Sequence, residues 1–466
     1  QHSAARQEPS SRPTSASHFD GDQHWPLTRW TYNDRGQLTS VTDAAGVVSR
    51  RFRYNDDGLM VWHQLPGGLE SEYRWQKLDH WRVIENRTNS GDGCHMHYDL
   101  EAGITRVSTY DGQQREHHWN AAGLITCFID ERGEKWRYEW DENELLTRRI
   151  DPLGNAVSFT YDDLGNRVEE KDADGGVQAV QWLSHRSLPT VVAGADGSTT
   201  KYYYDPHHGL ERVVDALGQS TLYQRDEFGL VVEETDAAGN SYRREFNDAG
   251  QVIRETDCSG LTTRYRYHPL GWLSCVIAPD GEETRYHYDA AGRPLQLERA
   301  EGWEERLHWS ENGLPLAYES ADGKRSEFRY DNVGRLIANR NAQGETVQRS
   351  WDSRGRLTAL QNENGEQYQF EWGADSLLLA QVGLDGVATR YDYDAAGRTV
   401  SRTFAAGHPQ SITHRYHWSR AGQLLARSTP EGQTRYHYSG GGQLGKVSQH
   451  LPLSDTEWSQ QAEQEI

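Results

Sequence analysis

The sequence predicts an all-β chain, one continuous antiparallel ribbon of tandem β-hairpins. Three observations carry that reading: an aromatic residue recurs at a fixed period, two glycine-closed turn signals fall within each period, and the residues between turns alternate in character. Composition agrees, because the 16 Trp and 24 Tyr favour strands, while the 45 Gly permit the dihedrals that tight corners need.

The period comes first, since a missed repeat misassigns a whole fold. Taking the aromatic before a turn as an anchor, the series opens with Tyr32, Tyr54, Trp75, Tyr98, Trp119, Trp140, Tyr161 and Trp182. Steps of 21 residues then lead from Tyr204, through Arg225 in an anchor position, to Phe246, Tyr267, Tyr288, Trp309, Tyr330, Trp351, Trp372 and Tyr393. Trp418 and Tyr438 close it. Small insertions around Trp75 to Tyr98, Trp182 to Tyr204 and Tyr393 to Trp418 are expected in turns or bulges.

Each unit then carries its two corners. The first follows the anchor, as in Tyr288-Asp289-Ala290-Ala291-Gly292, and is closed by Gly250, Gly271, Gly292, Gly334, Gly355 or Gly397 in successive examples. The second falls ten residues later, as in Asp43-Ala44-Ala45-Gly46 or Asp236-Ala237-Ala238-Gly239. Asp at the opening of a corner accepts a bond from a backbone N–H two residues on, and Gly at its close takes a positive φ without steric cost. Two corners per period leave strands of about six residues, hence about 40 strands in all.

Between corners, stretches such as Thr284-Arg285-Tyr286-His287-Tyr288 place rings on one face of a strand and charges on the other. Gly and Asp interrupt before three helical turns can form. A lone hairpin is marginal in water, so each must pair with its neighbours, with cross-strand pairs supplying stability where a thick core is lacking. Only 35% of the residues are hydrophobic, which fits a ribbon and not three ordinary cores.

Charge and cysteine narrow the classes further. Lys and Arg total 49 against 70 Asp and Glu, a net charge of -21 with both signs scattered, which argues against a nucleic-acid binder held by phosphate contacts. No run approaches the roughly 20 apolar residues of a membrane span. Cys94, Cys127, Cys258 and Cys275 show no C-x-x-C spacing and are read as reduced, small core residues.

The units Tyr391-Asp392-Tyr393-Asp394-Ala395-Ala396-Gly397-Arg398 and Arg329-Tyr330-Asp331-Asn332-Val333-Gly334-Arg335-Leu336 resemble the YD repeat of the Rhs family, which includes insecticidal toxin C components and teneurins. The resemblance runs from about Trp30 to Tyr438. It implies tandem β-hairpin YD repeats forming a spirally wound antiparallel sheet, a hollow shell or part of one. It further implies a non-catalytic shell that houses a toxin domain before delivery, with type VI secretion as the route. The partners implied are the remaining segments of a parent protein (an N-terminal delivery region and a C-terminal toxin), a secretion spike protein and a chaperone. A secreted bacterial effector, made in the cytoplasm and delivered to target cells, is the matching location. Residues 1–24 are expected to be a linker or partly disordered lead-in, 25–449 the repeat shell, and 450–466 a polar tail, the whole an interior or processed piece of a larger protein. The competing class is a cell-surface adhesion or carbohydrate-binding protein whose Trp and Tyr stack on sugars.

No catalytic, cofactor or metal site is expected. His95 and His97 share a strand face, but no third ligand can be named. Adjacent carboxylates such as Glu169-Glu170, Glu233-Glu234, Glu282-Glu283 and Glu304-Glu305 face opposite sides of a strand and so do not converge. The toxin-type members carry a D-P-x-G-L pattern at an aspartyl self-cleaving site; Asp151-Pro152 and Asp205-Pro206 are the candidates here, and both fall in phase with ordinary corners.

Overall fold

The computed structural model describes residues 12–20, 23–452 and 458–465, the last segment by its backbone. Among the described residues there are 42 strands, from Ser15–Asp20 to Trp458–Glu465, and one short 3-10 turn at Ala300–Gly302. The strands form one sheet in which chain neighbours pair antiparallel: Thr262–Tyr267 pairs Leu273–Ile277, which pairs Glu283–Tyr288 in turn. Two compact units are built from this ribbon, one comprising Gln1–His95, Phe246–Glu255 and Leu261–Gly355, the other Met96–Glu245, Thr256–Gly260 and Arg356–Ile466.

A regular repeat consists of a six-residue outgoing strand, a corner, a five-residue return strand and a second corner. The corner at Asp289 shows why Asp and Gly stand where they do. The Gly292 N–H donates to the Asp289 carbonyl at 3.0 Å, and the Asp289 N–H donates to the Arg293 carbonyl at 2.9 Å. The carboxylate Oδ1 takes the N–H groups of Ala291 and Arg293, both at 2.9 Å. This is a type I turn closed by a left-handed residue, a favoured hairpin connection. The sequence anticipated the first of those carboxylate bonds and missed the second, to the residue four positions on.

Most anchors bring a β-bulge. Tyr288 lies opposite Pro294, with a register shift between His287 and Tyr288, and the same shift recurs at Tyr204, Tyr267, Trp309, Tyr330, Trp372 and Tyr393. Bulges were expected only at irregular steps, yet they belong to the regular repeat. Each leaves one extra residue on the return strand and increases the local twist.

The hydrophobic core is thin, as the composition requires. Its buried apolar residues are mostly small and central in return strands: Cys275, Ala317, Ala338, Ala380 and Ala426. They lie between long polar side chains on the flanking strands, Ala338 between Arg329 and Gln348, Ala380 between Glu371 and Arg390. Stems of Arg, Glu and Gln cover the small residues while their heads stay wet. On the opposite face the rings are half-buried, as in Tyr391 and Tyr393 against exposed Arg390 and Asp392. Of the cysteines, Cys275 is buried and Cys94 and Cys127 are half-buried; Cys258 is exposed at a corner, so the core reading fails for it.

Two insertions lie in corners, at Leu183–Leu188 and at 405–411. The third does not: around Trp75 it lengthens the strands Glu70–Lys77 and Trp81–Thr88 about a tight turn. The ribbon also begins earlier than residue 25, because Ser15–Asp20 pairs with Gln23–Tyr32. Alternation is hidden there by Ser, Ala and Gln, which do not distinguish a strand from a linker. Residues 1–11 of the expected lead-in lie outside the described residues. In the expected tail, Leu444–Pro452 pairs with Trp458–Glu465.

Candidate functional site

Among the described residues no cleft gathers chemistry, so the features that bear on function are the anchors and the two rims of corners. Corners that follow an anchor form the first rim; corners that precede the next outgoing strand form the second.

The anchor ring carries a polar tip with a fixed target. The Tyr288 hydroxyl donates to the Leu273 carbonyl at 2.7 Å, and the Trp309 indole N–H donates to the Pro294 carbonyl at 2.7 Å. The same bond to the carbonyl 15 residues earlier is made by Tyr204, Tyr267, Trp351, Trp372 and Tyr393. The physical reason is the short second ladder of the repeat. Return strand Leu273–Ile277 pairs the following strand only from Cys275 to Ile277, and the anchor ring supplies a donor to the carbonyl which that ladder does not reach. Arg225 keeps the rule without a ring, since its Nε and Nη2 reach the Leu210 carbonyl at 3.3 and 3.2 Å. Phe246 holds its place at the end of strand Ser241–Phe246 without a donor, and Tyr330 sits opposite Leu336. Burial raises the phenol pKa of Tyr204, Tyr267, Tyr288, Tyr330 and Tyr393, which keeps the hydroxyl protonated and able to donate. The sequence marked these positions as aromatic; the signal it also held is that nearly all are Tyr or Trp, the rings with a donor.

The closing glycines Gly250, Gly271, Gly292, Gly334, Gly355 and Gly397 all take φ between +75° and +86°. The arginine after such a glycine was not singled out from sequence, yet it joins neighbouring corners. Arg293 pairs with the Asp289 carboxylate at 2.5 Å and donates to the Ser310 carbonyl of the next corner at 2.8 Å. Arg335 bridges Asp331 to Asp352 and Arg398 bridges Asp394 to Ser419 in the same way. The i, i+4 spacing of Asp and Arg across each corner was the available signal.

Within each unit, second-rim corners seat on first-rim corners about 250 residues further along the chain. In the unit that begins at Met96, the Arg132 guanidinium donates to the carbonyls of Asp394 and Ala395 at 2.9 and 3.0 Å and pairs with Asp375 at 2.5 Å. The Asp174 carboxylate accepts the backbone N–H groups of Arg420 and Ala421 at 3.1 and 3.0 Å. Burial opposes ionisation of Asp174, but the Ser419 hydroxyl and those N–H groups outweigh it and lower its pKa. Asp196 lies so close to Gly441 that a Cβ there would stand 2.4 Å from its Oδ2. In the other unit, the Ser90 hydroxyl donates to the Ser353 carbonyl at 3.1 Å, and Gly68 packs where a Cβ would meet the Asn332 carbonyl at 2.4 Å.

The residues suspected of chemistry behave as sheet residues. His95 and His97 are both exposed, with Cys94 half-buried before them and Met96 half-buried between them, and among the described residues no group of three or more His, Cys, Asp or Glu is placed to hold a metal. Glu233 pairs with Arg243 and Glu234 with Arg244, while Glu304 and Glu305 pair with Arg306 and Arg299. Asp151 takes the N–H groups of Leu153 and Asn155, as Asp289 does at its own corner. Asp205 likewise takes those of Gly209 and His207, which lower its pKa in that order of strength; the left-handed residue there is His208, at φ +68°, and not Gly209.

A family model described as RHS Repeat matches residues 32–70, 140–177, 204–241, 246–282 and 330–367. The chain carries Rhs repeats. It is similar to Double-stranded DNA deaminase toxin A of Burkholderia cenocepacia, 39% identical over 99 residues that make up 21% of this chain and 7% of that protein. It is also similar to Toxin protein Tse5 of Pseudomonas aeruginosa, 29% identical over 223 residues, 41% of this chain and 16% of that one. The Rhs-repeat chain therefore spans under a fifth of the length of these curated relatives. Its fold matches the crystal structure of TcdB2-TccC3 without hypervariable C-terminal region at a TM-score of 0.70, with 14% identity, over 94% of this chain and 30% of that one.

Proposed function

We propose that this Rhs-repeat chain is the non-catalytic shell region of a secreted bacterial toxin, housing a toxin domain before type VI delivery to target cells. The observation that carries the reading is the rim-on-rim seating of corners within each unit, through Arg132, Asp174 and Ser90. A ribbon that seats on itself makes a wall, and a wall has use when something must be kept apart. The similarity to toxins far longer than the aligned stretch supports the same reading, because it leaves room for a delivery region and a toxin in one parent protein. The aromatic residues that a sugar-binding surface would expose are largely spent on anchors, with their polar tips bonded to the backbone. Catalysis belongs, in this reading, to the associated toxin, and the repeat neither acts as an enzyme nor cleaves itself at Asp151 or Asp205.

The test is protease protection of a parent protein carrying this region and a C-terminal toxin. The toxin segment inside the parent should survive a dose of protease that degrades the isolated segment, and should become sensitive when the repeat is unfolded by urea. Equal sensitivity in both settings would overturn the proposal. Intact mass spectrometry of the purified chain should find no new termini after Asp151 or Asp205.

A further inference from the structure

The seating of Asp174 on the Ser419 corner follows from a substitution within the corner rule. At an ordinary corner the leading Asp accepts the N–H two residues on, as Asp289 does for Ala291. At Ser419 the hydroxyl accepts only the Gln423 N–H, at 3.0 Å, so the N–H groups of Arg420 and Ala421 point outward and take Asp174 from another corner. This corner, without its own carboxylate, receives one from elsewhere.

In the same unit, the first-rim corners opened by Asn120, Asp141, Asp162, Asp205 and Asp226 all supply their own acceptor. The corner Leu183–Leu188 between them does not, because its leading residue is Leu. It is still a hydrogen-bonded turn: the Arg186 N–H donates to the Leu183 carbonyl at 3.1 Å, and the Leu183 N–H to the Leu188 carbonyl at 2.9 Å. The two N–H groups inside it, on Ser184 and His185, have no hydrogen-bond partner among the described residues. Residues 184–187 are exposed, Arg186 included, and the His208 ring lies 6.3 Å from that of His185. In a chain of net charge -21, this is a donor-rich point that carries one exposed cation, Arg186.

We propose that the Leu183–Leu188 corner is a docking point for a carboxylate-tipped β-corner of a further hairpin ribbon, received as the Ser419 corner receives Asp174. Such a partner presents Asp at the third position of its corner, as Asp172-Ala173-Asp174-Gly175 does here. The two outward N–H groups take the two carboxylate oxygens, and Arg186 adds charge attraction. The proposal deepens the shell reading by naming the chemistry of one seam, but it makes a claim about binding that stands or falls without any toxin.

The experiment uses the full chain and a fluorescent, backbone-cyclised hairpin peptide carrying the residues 167–182 sequence. A second peptide has Asn in place of the tip Asp. Anisotropy titration should show saturable binding of the Asp peptide and at least tenfold weaker binding of the Asn peptide. Leu183→Asp gives the corner its own acceptor, as at its neighbours, and should weaken binding at least tenfold with an unchanged circular dichroism spectrum. Arg186→Glu, a surface change, should weaken binding as well and decides the matter if Leu183→Asp does not fold. A photocrosslinker beside the peptide tip should label residues 183–188. Equal binding of both peptides, full binding by the folded variants, or labelling only at other corners would overturn the proposal, and would leave the protease-protection test of the shell untouched.

Discussion

Removing a single oxygen tests the account of the anchors. Tyr288→Phe keeps the ring, and with it the contact to Trp272, whose ring centroid lies 5.4 Å away, but deletes the 2.7 Å hydroxyl bond to the Leu273 carbonyl. A typical intramolecular hydrogen bond contributes about 0.5 to 1.5 kcal/mol net, and a carbonyl left without a partner adds about 1 to 3 kcal/mol where water cannot replace the donor. Leu273 and Tyr288 are both half-buried, so water reaches part of the site and the loss should fall near 1.5 kcal/mol. Long repeat arrays need not unfold in one step, which makes a local probe preferable to a single melting curve. Native-state hydrogen exchange of the Cys275 and Val276 amides is such a probe, and 1.5 kcal/mol corresponds to a rise of about tenfold in their exchange. Tyr288→Trp, which retains a donor as Trp309 does, should stay within about threefold of wild type. If Tyr288→Phe exchanges at the wild-type rate, the anchor ring acts by packing alone and the donor argument is wrong.

Other consequences can be checked together. Arg225→Tyr should leave stability within about 0.5 kcal/mol, whereas Arg225→Met should lose about 1 kcal/mol in urea titrations, because only the former replaces the donor to the Leu210 carbonyl. Gly292→Ala should destabilise by about 1 to 2 kcal/mol, since φ is +80° there, while His208→Gly should gain up to about 1 kcal/mol by relieving φ +68°. The folded chain holds the phenols of Tyr161, Tyr204, Tyr267, Tyr288 and Tyr393 protonated above the pH at which the unfolded chain ionises them, near 10. Their stabilisation is therefore complete below about pH 10 and lost as pH rises through the folded values, so the urea midpoint should fall between pH 9 and 11 and fall less in a Tyr288→Trp, Tyr393→Trp double variant. Asp174→Asn should raise hydrogen exchange at Arg420 and Ala421 several-fold, and the wild type should show the same change as pH falls below the ordinary Asp value of about 4, because the Asp174 pKa is lowered in the fold.

What the sequence determined by itself is everything that repeats. The 21-residue step, the Asp and Gly of each corner and the alternation of ring and charge are local rules, stated many times over within one chain, so each copy corroborates the next. Deviations that change local chemistry were legible in part: Arg225 was visible as an anomaly, but its role needed the carbonyl of Leu210 beside it. The strand at Ser15–Asp20 was missed because small and polar residues carry no face preference. Tertiary structure alone decided which corner sits on which. Arg132 meets Asp394, and Asp174 meets Arg420, 262 and 246 residues away, and no period of 21 specifies those partners. A type I turn turns the same donors and acceptors outward at every copy, so local sequence leaves the choice degenerate. The twist and bulge of each hairpin, accumulated over some two dozen strands, bring one particular pair of rims together, and there Arg132 and Asp174 acquire partners from a corner far along the chain.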